Sequence, residues 1–273
     1  MTTDSKNRPI GVFDSGIGGL TVYKALREAL PQEDFIYLGD TARLPYGTKS
    51  HETVAAYALQ AAQLLLEHDI KLLVVACNTA SAQALPELRR AFPDLPCLGV
   101  IEPGADAAVA ASHSGRIAVL ATEGTARSGA YVEAIQRRSS AVEVQVLACN
   151  LLVALVEEGW CDGAEAEVIL RRYLHRLEEG FDTLVLGCTH FPILAPMLRK
   201  IVSPSISIID SAVTAAQAVR EYLQSFGQLA PSSQVGSCHF LVTDGPERFE
   251  RVARLFLNED IAGKITQVYL RQR

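Results

Sequence analysis

The 273-residue sequence has no excess of positive charge, no secretory signal pattern and no long apolar run. Its 25 Lys and Arg against 31 Asp and Glu give a net charge of −6, which argues against a nucleic-acid binder or a binder of anionic membranes. The longest nearly uncharged apolar stretch, residues 144–156, falls short of the roughly 18 residues that a membrane span needs. The first ten residues, MTTDSKNRPI, lack the apolar core of a signal peptide. These absences predict a cytoplasmic protein that binds neither nucleic acid nor membranes.

None of the six cysteines forms a C-x-x-C pair, and a chain of this length buries enough surface to fold without disulfides. We therefore expect reduced thiols. The composition, 49% hydrophobic and 21% charged, is typical of a globular protein. Short runs of Val, Ile and Leu alternate with amphipathic stretches, which predicts βαβ units with mostly parallel sheets and an α/β fold. Strands are predicted at 10–14, 35–38, 71–76, 97–100, 116–121, 142–147, 183–187, 205–209 and 238–243. Helices are predicted at 19–30, 51–68, 81–91, 126–138, 164–178, 211–226 and 246–257.

An internal repeat indicates two similar halves. The segment LLVVACNT at 72–79 resembles TLVLGCTH at 183–190, and the two cysteines, Cys77 and Cys188, stand 111 residues apart. Each cysteine follows a predicted buried strand, at the edge where open α/β sheets bind ligands. We expect one domain from residues 1–97 plus 210–273 and a second from 98–209, with the active site in the cleft between them.

A glycine-rich segment, GVFDSGIGGL at 11–20, spans the end of the first predicted strand and the turn between that strand and the first predicted helix. Such a turn can present backbone N–H groups to an anion, and Asp40 stands at the spacing of a ribose-binding carboxylate. However, Thr21 replaces the last glycine of a dinucleotide-binding motif, and Asp14 would direct a negative charge at a pyrophosphate. A turn that only packs a helix on a strand is the plainer alternative.

The cysteines divide into two groups. Cys97, Cys149, Cys161 and Cys238 have the context of small buried apolar residues. Polar residues follow Cys77 and Cys188, and a strand–helix turn would place each near amide donors that favour the thiolate. No cluster of further ligands stands near Cys188 and His190, so a metal site is not indicated. A Cys–His nucleophile would leave the second cysteine unexplained, whereas two opposed thiols suit the inversion of a stereocentre by proton removal on one face and return on the other.

Five segments in this order, GVFDSGIGGL, YLGDTARLPYGTKS, VVACNTASA, LATEGTARSGAY and GCTHFPIL, closely resemble bacterial glutamate racemases. The resemblance runs from about residue 11 to about residue 226, and aspartate racemases of the wider family share the plan of two cysteines. It implies a racemase that needs no cofactor and no metal, two α/β domains with the site in their cleft, and a homodimer. It also implies that the product D-glutamate supplies peptidoglycan synthesis.

The resemblance assigns roles to individual residues. Cys77 and Cys188 would be the acid/base thiols, acting on D-glutamate and L-glutamate respectively. Asp14 would assist Cys77, and His190 and Glu157 would assist Cys188. Asp14 and His190 would also contact the substrate together with Ser15, Tyr46, Gly47, Asn78, Thr79, Thr125 and Thr189.

Plainer roles remain open for several of these side chains. Asp14 is also a suitable N-cap, Tyr46 a turn aromatic, His190 a packed histidine and Glu157 a solvated helix-end residue. A binding module for acidic amino acids and a nucleotide-dependent dehydrogenase are the competing functions. Residues from about 227 to 273 contain no motif that indicates a function.

Overall fold

The computed structural model describes residues 5–270 and contains two sheets of parallel strands, which confirms the α/β class. The strands are β1 (Ile10–Asp14), β2 (Phe35–Gly39), β3 (Leu72–Val75), β4 (Cys97–Gly99), β5 (Arg116–Ala121), β6 (Glu143–Ala148), β7 (Thr183–Gly187), β8 (Ser207–Asp210), β9 (Cys238–Val242) and β10 (Ile265–Gln267). The helices are α1 (Leu20–Ala29), α2 (His51–Leu66), α3 (Asn78–Ala91), α4 (Ile101–Ala111), α5 (Glu123–Ser128), α6 (Ala130–Arg138), α7 (Leu151–Glu157), α8 (Ala164–Leu174), α9 (Ala195–Ile201), α10 (Ser211–Ser225) and α11 (Pro246–Leu257).

The first sheet has the strand order β10-β9-β2-β1-β3-β4, and the second has the order β6-β5-β7-β8. Strands β1, β3 and β7 are buried along their whole length. Helices cover both faces of a parallel sheet, so these strands carry continuous apolar runs instead of an alternating pattern. The two runs that precede the repeated cysteines therefore lie inside the two sheets.

The chain passes between the sheets twice. The chain leaves the first sheet after β4, and α4 then packs against β7 and β8 of the second sheet. Helix α10 follows β8 and packs against α1 and α4, after which β9 pairs with β2. The predicted domain boundary after residue 97 falls within β4, because its last two residues still pair with β3. Within residues 5–270, no helix is both long and apolar enough to cross a bilayer.

Several elements differ from the predictions. The single helix predicted at 126–138 is two helices, α5 and α6, because Gly129 adopts a left-handed φ of 71° between them. Helix α3 starts three residues earlier than predicted, at Asn78, because the Cys77 side chain accepts a hydrogen bond from Ala80 N and caps the helix. Helices α4, α7 and α9 and strand β10 were not predicted. The last three are short, and α4 carries a Pro-Gly pair in its first turn, which is typical of loops.

Candidate active site

The carboxyl ends of central strands of both sheets meet around one cavity. Asp14 ends β1, Cys77 follows β3 and Cys188 follows β7. Both sheets contribute to the lining, which consists of Ser15, Gly16, Ile17, Leu44, Pro45, Tyr46, Gly47, Cys77, Asn78, Thr79, Thr122, Val153, Glu157, Cys188, Thr189 and His190. The two halves of the sequence repeat thus place their cysteines in the same cavity.

Cys77 lies at the N-terminus of α3, where its sulfur is 3.5 Å from Ala80 N and 3.4 Å from Ser15 Oγ. Burial and the negative charge of Asp14 raise the pKa of Cys77 to about 12, and they outweigh the opposing effect of these two hydrogen bonds. The Ala80 amide at the helix end favours the thiolate, as expected, but burial and Asp14 have the larger effect on Cys77. At neutral pH this side chain is a thiol and carries a proton.

Asp14 is fully buried beneath the glycine-rich loop. Its Oδ2 accepts a hydrogen bond of 2.8 Å from Gly16 N, whereas its Oδ1 has no hydrogen-bond partner among the described residues. Burial raises the pKa of Asp14, and the charge of His190 opposes that shift. Helix α1 has Gly19 as its cap residue without a side-chain hydrogen bond, so Asp14 does not serve as its N-cap. Asp14 is thus a buried carboxyl group whose charge acts on Cys77, and one of its oxygens has no hydrogen-bond partner among the described residues.

A chain of side chains extends away from Cys188. His190 Nδ1 lies 3.9 Å from Cys188 Sγ, and His190 Nε2 lies 3.1 Å from Glu157 Oε1. Glu157 Oε2 accepts a hydrogen bond of 2.9 Å from Arg248 Nη2. Burial raises the pKa of Glu157, but hydrogen bonds and charge from His190 and Arg248 bring that pKa below its ordinary value. Glu157 is therefore a carboxylate held between two cations, and not a solvated residue at a helix end.

The same contacts determine the charge of His190. Burial alone would lower the pKa of His190, but hydrogen bonds and negative charge from Cys188 and Glu157 raise it from 6.5 to about 10. The ring is 8% exposed and lies edge-on to Phe256, with ring centroids 5.8 Å apart. His190 thus carries a positive charge at neutral pH beside the sulfur of Cys188, in contrast to the proton-bearing thiol at Cys77.

We expect nitrogen-15 NMR to show a doubly protonated His190 ring at pH 8, where a histidine of an unfolded chain is neutral. The His190→Asn variant assigns the signal, and urea-unfolded protein supplies the reference. Since the folded pKa of about 10 exceeds 6.5, this residue stabilises the fold fully below about pH 6.5. That contribution to the free energy of unfolding is lost as the pH rises through 10. Nitrogen shifts of a neutral ring at pH 8 would contradict the assignment.

The polar side chains that follow β3 and β5 form hydrogen-bonded pairs. Asn78 Oδ1 accepts a hydrogen bond of 2.8 Å from Tyr131, which leaves the buried Asn78 Nδ2 without a hydrogen-bond partner among residues 5–270. Thr79 Oγ1 lies 2.9 Å from Thr122 Oγ1 and 3.2 Å from Thr125 Oγ1. Thr122 lines the cavity, whereas Thr125 lies behind it and is 1% exposed. The Thr125 hydroxyl thus contacts the lining hydroxyls.

Asp40 has a structural role that excludes the ribose-binding interpretation. It is fully buried, and its Oδ2 accepts hydrogen bonds from the Tyr46 hydroxyl and, at 2.7 Å, from Arg43 Nε. Its Oδ1 accepts a hydrogen bond of 2.9 Å from Thr243 Oγ1. Both oxygens are occupied by neighbouring side chains. Asp40 therefore holds Tyr46 at the cavity wall and is not available to a nucleotide.

The glycine-rich loop allows the two sheets to approach each other closely. A Cβ atom at Gly18 would overlap the His190 ring and the Thr189 hydroxyl, which both belong to the segment after β7. A second such contact joins Gly47 to Thr122, whose Cβ would lie 2.8 Å from an added Cβ. Thr21 Oγ1 also donates a hydrogen bond of 2.8 Å to Thr189 O. The loop thus serves contact between the two halves of the molecule, which supersedes the dinucleotide-binding interpretation.

Some residues at the site were not found from the sequence. Arg248 and Phe256 come from α11, in the region where the sequence offered no functional candidate, and no local motif marks them. Thr122 lies in the segment LATEGTARSGAY, where only its neighbour Thr125 was chosen. Within residues 5–270, no three His, Cys, Asp or Glu side chains are grouped so that they could hold a metal ion.

Comparison with known proteins agrees with this geometry. A family model described as Asp/Glu/hydantoin racemase matches residues 10–219. A glutamate racemase from Geobacter metallireducens is 51% identical over 263 residues, which cover 96% of each chain. Among solved structures, a glutamate racemase isoform from Bacillus anthracis superimposes with a TM-score of 0.92 at 37% identity, covering 97% of this chain and 98% of that one. A glutamate racemase from Francisella tularensis in complex with D-glutamate has a TM-score of 0.90 at 36% identity, with the same coverage. The chain belongs to the Asp/Glu/hydantoin racemase family, and within it to the glutamate racemases.

Proposed function

We propose that this protein interconverts L-glutamate and D-glutamate by removing the Cα proton with one cysteine and returning a proton with the other. The observation that carries the proposal is that Cys77 and Cys188, which follow matching strands of two sheets, line one cavity. Inversion needs an acid and a base on opposite faces of Cα, and one thiol with one thiolate provides them. Neither cofactor nor metal is part of the proposed mechanism.

The two sides of the cavity differ in charge, which sets the direction of the first proton transfer. Cys77 carries its proton at neutral pH because its pKa is about 12. The His190 imidazolium lies beside Cys188, and a neighbouring cation stabilises a thiolate. The free enzyme is then ready for the enantiomer whose Cα–H bond faces Cys188, which the family resemblance assigns to L-glutamate. The roles of the two cysteines exchange for D-glutamate, with Asp14 and His190 as the neighbouring acid–base groups.

The substrate's carboxylates are held by neutral donors in this proposal. Among the described residues that line the cavity there is no Lys or Arg, and the positive charge there comes from His190 beside Cys188. Ser15, Thr79 and Thr189 provide hydroxyl groups, and Asn78 Nδ2 is a buried donor without a partner among residues 5–270. Donors that face the α-carboxylate stabilise the negative charge that develops as the Cα proton leaves. Tyr46 and Gly47 close the substrate site on one side, and Thr125 contacts the carboxylate through the hydroxyls of its neighbours.

We further propose that residues 1–97 with 210–273 and residues 98–209 act as the two domains, apart from the two residues that complete β4 and Asp210, which completes β8. The strands of each sheet come from these two parts of the chain, which supports the division. A homodimer, a cytoplasmic location and the supply of D-glutamate for peptidoglycan synthesis follow from the family resemblance and stay predictions.

Incubation with L-glutamate in D₂O tests the function directly. We expect the Cα–H proton signal to disappear and the optical rotation to fall to zero, because each inversion returns a solvent deuteron to Cα. Binding of glutamate without deuterium uptake would instead identify a binding module, and loss of neither signal would exclude racemisation. L-aspartate in the same assay shows whether the site also accepts the shorter side chain.

A further inference from the structure

We infer that Arg248 is a positioning residue for the Cys188 side of the reaction, which it serves by fixing Glu157 and, through Glu157, the His190 ring. This inference rests on the proposed racemase function. Arg248 does not line the cavity, and its side chain is 46% exposed, so it acts through its neighbours.

The ion pair joins two separate parts of the molecule. Arg248 lies in the first turn of α11, a helix that packs against α1 and β10 of the first sheet. Glu157 is the last residue of α7, which follows β6 of the second sheet. The distance from Arg248 Nη2 to Glu157 Oε2 is 2.9 Å. The contact therefore forms only when α11 and α7 face each other across the cleft.

Glu157 uses one oxygen for each partner. Oε2 accepts from Arg248, and Oε1 lies 3.1 Å from His190 Nε2, while the carboxylate side chain is only 11% exposed. A carboxylate with a single anchor can rotate, whereas a second anchor on its other oxygen defines the plane of the group and thus the direction of its bond to the ring. The ring direction matters because His190 Nδ1 has to face the Cys188 sulfur, which lies 3.9 Å away.

Helix α11 contacts this chain of side chains at a second place, since Phe256 lies edge-on to the His190 ring at 85°. Gly245 has a left-handed backbone conformation and precedes Pro246, the first residue of α11. This start of the helix fixes the position of Arg248. The charged and titratable groups that act on His190 are Cys188, Glu157 and Asp14, and Arg248 is the cation that acts on Glu157. The Arg248 side chain is nearly half exposed, and solvent screens its charge, so we assign the ion pair mainly an effect on orientation.

The test compares Arg248→Met with Arg251→Met on the same helix, in the full-length enzyme. Arg251 is exposed and forms no ion pair among residues 5–270, so it controls for the loss of one positive charge on α11. We expect Arg248→Met to lower kcat about tenfold to hundredfold, the range for partners that orient a functional histidine, with KM changed less than twofold. Arg251→Met should leave both constants within twofold of the wild type. Arg248→Lys keeps the charge and should restore most of kcat.

The pH profile of kcat/KM separates positioning from a purely structural role. Without the Arg248 cation the pKa of Glu157 rises, so the acidic limb of the profile should move to higher pH. An unchanged kcat and profile would overturn the inference. A raised KM with unchanged kcat would also overturn it, because it would indicate direct contact with the substrate. If Arg251→Met lowered kcat as much as Arg248→Met, the loss would come from the charge of α11 or from folding, and the inference would be overturned.

The nitrogen-15 signal of His190 keeps this inference separable from the proposed function, because it needs no substrate. We expect the nitrogen-15 shift of His190 Nε2, which reports its hydrogen bond to Glu157, to differ between Arg248→Met and the wild type and to return to the wild-type value in Arg248→Lys. If the wild type failed to racemise glutamate while this shift appeared, the function would be wrong and the contact would stand. If the wild type racemised glutamate and the shift were absent, the inference about Arg248 would be wrong.

Discussion

Replacing either Cys77 or Cys188 with serine is expected to lower kcat/KM for glutamate by about 10³-fold or more, at the upper end of what one acid–base group contributes. The serine hydroxyl has nearly the shape of the thiol but gives up its proton far less readily, so it cannot act as the base. The loss should be equal for both enantiomers. L- and D-glutamate have the same free energy in solution, and the ratio of the two kcat/KM values cannot change.

Deuterium exchange without inversion distinguishes the two cysteines. Cys77→Ser keeps the base on the Cys188 side, so it should exchange the Cα proton of L-glutamate in D₂O while leaving D-glutamate unlabelled. Cys188→Ser should show the opposite preference. Cys161→Ser is the matched control, because Cys161 does not line the cavity, and it should keep full activity. Full racemisation by either single variant would refute the mechanism with two bases.

Gly18→Ala is expected to lower kcat/KM by about a hundredfold, the cost of displacing a reacting group by roughly 1 Å. The added methyl group would overlap the His190 ring and the Thr189 hydroxyl. His190 is held between Cys188 and Glu157, so it can yield only by giving up one of these contacts or by moving the two sheets apart. The backbone of Gly18 does not adopt a left-handed conformation, so the effect is steric.

Gly104→Ala in α4 is the control for Gly18→Ala. An added Cβ there meets Tyr131 only at 3.5 Å, which is ordinary contact. Alanine in a helix is favoured over glycine by about 0.5–1 kcal/mol, so this variant should be as active as the wild type and slightly more stable. Steady-state rates with D-glutamate give kcat/KM for the wild type and for both variants. Chemical denaturation gives the free energy of unfolding of the same three proteins. Unchanged kcat/KM in Gly18→Ala would show that the close approach is not needed for catalysis.

The two halves of the sequence repeat place their cysteines in different surroundings. Cys77 caps a helix of fourteen residues, whereas Cys188 is followed by a short 3-10 turn, Phe191–Leu194, before α9 begins. The carboxylate near Cys77 is fully buried with raised pKa, and the imidazole near Cys188 is a cation. This difference accounts for one thiol that holds its proton and one sulfur beside a positive charge, which is the starting state that proton transfer across Cα requires.

The local sequence was sufficient to predict most of the strands and to single out the two cysteines. Buried parallel strands need continuous apolar runs, so β1, β5 and β7 were predicted with their observed ends, and the repeat placed each cysteine after such a strand. Short elements such as α7 and α9 were missed because seven residues hold too few positions to establish a helical period. The break at Gly129 was missed because glycine is tolerated within a helix, and only its backbone angle reveals the interruption.

The sequence by itself determined the α/β fold, the family and the pair of cysteines, because these depend on residue types and on spacing along the chain. Only the tertiary structure decided the protonation state of Cys77, the use of Asp40 to hold Tyr46, and the role of α11. A pKa depends on burial and on charges that are near in space, and Arg248 stands 91 residues from the carboxylate that it contacts. Such contacts leave no periodic or local pattern, so they become visible only when the folded chain brings the groups together.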